Sequence, residues 1–138
     1  MSIVQTQTTS FKKELYQGIH DLSTDTIKIA LYTGNADLNE ATTVYSATNE
    51  VVAAGYTAGG EIMTGVAISS SGYVAYANWD NVSWTAALTA RCALIYNASK
   101  GNKSVAVLDF GSDKTSTTTF TITMPANTST TALIRSSN

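Results

Sequence analysis

The chain has 138 residues, a formal net charge of −2, and charged residues at only 13% of its length, about half the usual share. That length makes one domain, residues 1–138, with a core of its own, and the lack of any Lys/Arg run or long apolar run argues against nucleic-acid binding and against a membrane span. A single cysteine, Cys92, excludes an internal disulfide, and the polar first residues lack the basic start and apolar run of a signal peptide, so synthesis in a cytoplasm is expected.

Ser and Thr make up roughly a quarter of the chain, well above ordinary usage. Thr suits strands because its branched Cβ packs on a pleated surface. Two readings fit this composition: a β domain that buries much surface against neighbours, or an ordinary β domain with a hydroxyl-rich surface. Residues 1–90 hold three basic and eight acidic side chains, and residues 91–138 hold five and two. Such asymmetry could serve head-to-tail contact between copies, or be chance in a sparse set of charges.

Residues 2–9 are polar and without a pattern, and could be a flexible N-terminal arm ahead of a β-rich body over residues 10–135. Ser10 is a plausible N-cap for a helix over residues 11–21. Phe11, Leu15, Ile19 and Leu22 recur at helical spacing, and Gly18 weakens the helix interior. A turn cluster, Ser23-Thr24-Asp25, precedes a strand over residues 27–33. There Ile27, Ile29 and Leu31 face one way and Lys28, Ala30 and Tyr32 the other. Residues 35–60 show no period, beyond a short edge strand at Val44-Tyr45. A loop of that length is functional or partly structured.

Ile62, Thr64, Val66 and Ile68 alternate as a second strand, followed by a turn at residues 69–72. Residues 73–77 and 82–85 are two short strands around Trp79-Asp80-Asn81. Residues 92–97 and 104–110 pair as a hairpin, apolar on both faces and therefore central. Cys92 in this pattern reads as a buried small hydrophobe. Phe120, Ile122 and Met124 alternate with Thr119, Thr121 and Thr123, one face core and one wet, and Pro125 closes the strand. Ala132-Leu133-Ile134 offers a last strand. Short strands at close spacing with one leading amphipathic helix predict a mainly β fold, an antiparallel β-sandwich or jelly-roll-like domain.

No catalytic constellation accompanies this pattern, and the chain is expected not to be an enzyme. His20 is the only histidine. It sits at a helix end, where interaction with the last carbonyls is the commoner role, and no nucleophile elbow is present. One Cys and one His do not make a zinc site. Residues 55–60 are Gly-rich without the Gly-Lys-Ser/Thr of a phosphate loop, so their glycines are read as bends. Asp109, Asp113, Asn97 and Asn102 could offer oxygen to calcium, yet lack the EF-hand pattern and read as turn residues. No cofactor or metal is expected. Tyr56, Tyr73, Tyr76, Trp79 and Trp84 are the candidate contacts for an interface or a stacked sugar, since flat aromatics with a polar tip serve both. Core packing explains at least one Trp equally well.

Five pieces carry a resemblance. They are residues 11–20 (Phe-Lys-Lys-Glu-Leu-Tyr-Gln-Gly-Ile-His), 28–33 (Lys-Ile-Ala-Leu-Tyr-Thr), Asn49-Glu50-Val51 with 55–60 (Gly-Tyr-Thr-Ala-Gly-Gly), 90–97 (Ala-Arg-Cys-Ala-Leu-Ile-Tyr-Asn) and 101–111 (Gly-Asn-Lys-Ser-Val-Ala-Val-Leu-Asp-Phe-Gly). In this order the chain resembles a family of small virion structural proteins of tailed bacteriophages, over about residues 11–125. Cys92 stands where the resemblance leads one to expect Gly. It implies a capsid decoration or cement protein stabilising the head, with a tail- or fibre-associated protein that binds host-surface glycan as the alternative. The implied partners are the major capsid protein or other virion proteins and further copies of the chain. The implied place is the virion, after synthesis in the host cytoplasm.

Overall fold

The computed structural model describes residues 2–137. The described chain runs β1 (Thr6–Gln7), α1 (Thr9–Tyr16), β2 (Ile27–Tyr32), β3 (Glu61–Ile62), β4 (Ala67–Ser71), β5 (Val74–Asn78), β6 (Val82–Trp84), β7 (Thr89–Asn97), β8 (Lys103–Thr115), β9 (Phe120–Ile122) and β10 (Ile134–Ser136). It is mainly β, every strand pairing in its sheets is antiparallel, and the single α-helix lies near the N-terminus. A five-stranded sheet, β1-β8-β7-β2-β3, is joined by a three-stranded sheet, β10-β5-β4, and a β6-β9 pair.

The large sheet is apolar on both faces because both are covered. Ile27, Ile29, Leu31, Ala93 and Ile95 face a core shared with Trp84, Phe120, Val82, Ile122, Ala77 and Ile134 of the smaller sheets. Ala30, Tyr32, Cys92, Leu94 and Tyr96 face a second cluster closed by Ala36, Leu38, Tyr45 and Ile3. The long segment after β2 therefore acts as a third layer. Its contribution to pairing is three isolated bridges, Leu38 with Ile3, Val44 with Lys103 and Glu50 with Tyr32. The β7–β8 register shifts between Ile95 and Tyr96, which leaves Val105 as the extra residue of a bulge. Phe120 and Ile122 are buried and Met124 half-buried, with Thr119, Thr121 and Thr123 exposed, as their alternation predicts.

Several elements differ from the sequence-based expectation. The helix is shorter and starts earlier. Thr8, not Ser10, is its N-cap, accepting from the Phe11 N–H. The helix stops at Tyr16 because Gly18 takes a left-handed φ of +71°. The Ile19 N–H then bonds to the Glu14 carbonyl and the Gly18 N–H to that of Leu15, the paired bonds of a Schellman cap. Leu15 is left partly exposed as a result. Residues 2–9 are not a free arm here. Thr6 and Gln7 pair with Val107 and Ala106, and Thr8 is fully buried against Ser104. The strand expected over residues 62–68 is broken by Gly65 at φ +69°. Ile62 and Ile68 point outward and Met63 inward, because Met63 continues the pairing on β2 through the Ile27 carbonyl. Residues 69–71 belong to β4 and not to the turn. The last strand begins at Ile134, two residues later than expected.

Candidate interaction surface

The β4–β5 hairpin contains the longest strand exposed at every residue. Ser71 pairs with Val74, so Gly72-Tyr73 is a two-residue connection. Gly72 has a φ of +59° at the first central position, where a type II′ turn requires a positive φ. All five residues of β4 are exposed, and Tyr73 at the tip is 88% exposed. No charged residue occurs between Glu61 and Asp80, nor between Lys114 and Arg135. These two stretches hold β4, β5 and β9, so the β4–β5 hairpin itself is uncharged and hydroxyl-rich. The hairpin base is held where Asp80 donates its N–H to the Thr64 carbonyl at 2.9 Å. Gly65 takes the left-handed φ of +69° that favours glycine, and a Cβ there would press the Asp80 carboxylate aside.

The aromatic candidates are not brought together as a platform. Trp84 and Trp79 are 2% and 5% exposed and lie in the main core, with Trp84 edge-on to Phe120 at 6.2 Å. Along residues 82–90 burial alternates strictly, so Val82, Trp84, Ala86, Leu88 and Ala90 all point inward. That alternation was visible in the sequence and marks Trp84 as core. Tyr56 is buried too, its hydroxyl accepting from the Leu31 N–H. Tyr73 alone is fully presented, and Tyr76 is half-buried on β5.

A groove of about 440 Å³ separates one face of the three-stranded sheet from the end of α1. It is walled by Ile68, Ala75 and Ala77 on one side and by Leu15 and Leu22 on the other. His20 lies beside it in a network that sequence spacing did not reveal. Asn97 donates to the His20 Nδ1 at 3.0 Å and to Asp25 at 2.8 Å, while its carbonyl oxygen accepts from the Ser99 N–H. The amide orientation is thus set, and His20 carries its proton on Nε2, which donates to Glu14 at 2.9 Å. Burial pushes the Asp25 carboxyl up, but hydrogen bonds from Asn97 and the Asp21 N–H, together with the Lys100 ammonium at 3.0 Å, outweigh it and hold the pKa at about 2. The group clamps the helix exit to the end of β7. It also pairs an acidic residue of the first ninety with a basic one of the last forty-eight, so part of the charge asymmetry is used within one chain.

A second buried cluster was also missed. Glu50, 7% exposed, accepts from the hydroxyls of Tyr45 and Tyr56, each at 2.5 Å, and from the Gly59 N–H at 2.8 Å. The Tyr96 hydroxyl donates to the Gly59 carbonyl, and the Tyr32 hydroxyl to that of Ser46. Burial, with Glu50 nearby, pushes Tyr96 up to about 12 and raises Tyr32, Tyr45 and Tyr56 as well. This arrangement fastens residues 45–60 to the sheet. The Gly60 backbone passes so close to Ile29 that a Cβ there would strike the Ile29 carbonyl.

Asp109 lies 3.4 Å from Arg91 and accepts from the Gly111 N–H, and Asn97 belongs to the His20 network. Among the described residues no group of three or more His, Cys, Asp or Glu side chains is placed to hold a metal ion, and no helix is long and apolar enough to cross a membrane. Comparison with known proteins returned nothing: no family model, no curated sequence and no solved structure matches the chain.

Proposed function

We propose that this chain is a non-enzymatic structural protein of a tailed-bacteriophage particle, with decoration or cementing of the head as the first reading. The observation that carries it is the uncharged β4–β5 hairpin with its open β4 edge. Edge strands present unpaired N–H and C=O groups, and natural proteins blunt them with charge, proline or cover. A five-residue edge with none of these is suited to a chain that lives against a neighbour. The five pieces of the resemblance build the scaffold. They form most of α1 and β2, the central part of the β7–β8 pair, and, Tyr45 apart, the Glu50 cluster. The exposed hairpin lies outside them.

The second reading, a tail or fibre protein on host-surface glycan, would rest on Tyr73 and Tyr76, since Trp79, Trp84 and Tyr56 are buried. Counting copies of this chain in purified particles tests both. Hundreds per particle, located on the shell by electron cryomicroscopy, is the expected result. A few to a few dozen would favour the tail, and absence from the particle would overturn the proposal.

A further inference from the structure

The exposed edges of the fold are not equivalent. The large sheet ends in β1 and β3, each of two residues, and β3 carries Glu61. β10 carries Arg135, whose carbonyl accepts from the Gln7 side chain at 2.7 Å. β4 is five residues long, pairs with β5 without a bulge and holds no charge or proline. Because Ser71 and Val74 flank a two-residue turn, they form a hydrogen-bonded pair. Bonding direction alternates along an antiparallel strand, so Ala67, Ser69 and Ser71 bond to β5. Ile68 and Ser70 then direct their N–H and C=O groups outward.

We infer that β4 is a self-pairing edge: two copies of this chain join β4 to β4, antiparallel about a two-fold axis at Ser69, and fuse two three-stranded sheets into one continuous sheet. The strand is complementary to itself in full register. Ile68 meets Ser70 of the second copy, and Ser70 meets its Ile68, so both outward-facing residues of each copy find partners. Ala67 meets Ser71, and Ser69 meets Ser69. No like charges oppose one another, the unfavourable term that commonly forbids such pairing. On the groove face the two Ile68 side chains, each 53% exposed in the single chain, become diagonal neighbours beside the two Leu15 walls.

A five-residue edge buries less than the roughly 1,200–2,000 Å² of a stable interface. The pair is therefore weak in dilute solution and forms where copies are held close together. For that setting the inference rests on the virion reading; the pairing itself does not.

Ser69→Cys tests it. Residues opposed at a non-hydrogen-bonded position have Cα atoms about 4.5 Å apart, within the span of a disulfide. Native Cys92 is fully buried, so it does not compete. Concentrated full-length S69C, oxidised with glutathione disulfide, is expected to form a linked dimer at least about tenfold faster than S71C or Y73C. Adding Ser70→Pro, which removes one outward N–H, should bring the S69C rate down to theirs. Equal rates for S69C, S71C and Y73C would overturn the inference, as would an undiminished rate in a folded S69C/S70P chain. The same assay on particles separates the two claims. A chain absent from particles defeats the virion reading alone, and a particle-borne S69C chain that does not link defeats the pairing alone.

Discussion

Glu50 shows how much one residue can hold in this chain. Three donors converge on its carboxyl group, and two of them are tyrosine hydroxyls that would be stranded without it. A buried donor left unpaired costs about 1–3 kcal/mol. Glu50→Ala is therefore expected to destabilise the domain by about 2–5 kcal/mol in denaturant titrations, with residues 45–60 losing amide-exchange protection first. The same cluster sets an alkaline limit. Tyr96 is pushed up to about 12 in the fold, whereas an unfolded tyrosine ionises near 10. A raised pKa means that the native state holds protons that the unfolded chain releases. The resulting stability is complete below pH about 10 and declines as pH climbs through 12. The denaturation midpoint should fall across that window, and Tyr96→Phe should make the fall shallower, the raised Tyr32, Tyr45 and Tyr56 carrying the rest.

At the scale of elements, the short helix is defined by its ends. The Thr8 cap and the Gly18 stop confine it to eight residues, Thr9–Tyr16, too few to be stable without packing. Fully buried Phe11 supplies that packing, tilted against the His20 ring at 5.0 Å. Gly18 offers a test in which the sign decides. In a helix interior, Gly→Ala stabilises by about 1 kcal/mol. At a left-handed position the same change costs about 1 kcal/mol or more. Nothing lies within 4 Å of a Cβ built at Gly18, so no packing gain or clash obscures the backbone effect. Gly18→Ala is expected to lower the melting temperature.

For the whole molecule, the large sheet is a middle layer, with small sheets on one face and the segment after β2 on the other. The N-terminal residues belong to this construction. Ser2 and Val4 exchange backbone hydrogen bonds with Leu38, and Thr6 and Gln7 pair with Val107 and Ala106. Deleting residues 2–7 should therefore cost about 2–4 kcal/mol, taking each net hydrogen bond at about 1 kcal/mol. A melting curve of the truncated protein beside the full chain measures this. An unchanged curve would restore the view of residues 2–9 as a detachable arm.

The main strands were legible because their signal is local. Ile27, Ile29 and Leu31 alternate with Ala30 and Tyr32, and the 92–97 and 104–110 runs are largely apolar on both faces, so direct inspection identifies three central strands. Burial of Cys92 and the Phe120–Ile122 alternation followed from the same period of two. The polar clusters were not legible, because nothing local marks them. Asn97 meets His20 and Asp25 across more than seventy residues of chain, and Glu50 is recognisable only once Tyr45, Tyr56 and Gly59 have folded back around it. Ile62 and Ile68 share the alternation of a core strand, yet they face outward. Period two tells which side chains share a face, and only the packing of other layers decides which face is covered. Tyr73 lies outside that choice, because it sits in the turn between β4 and β5.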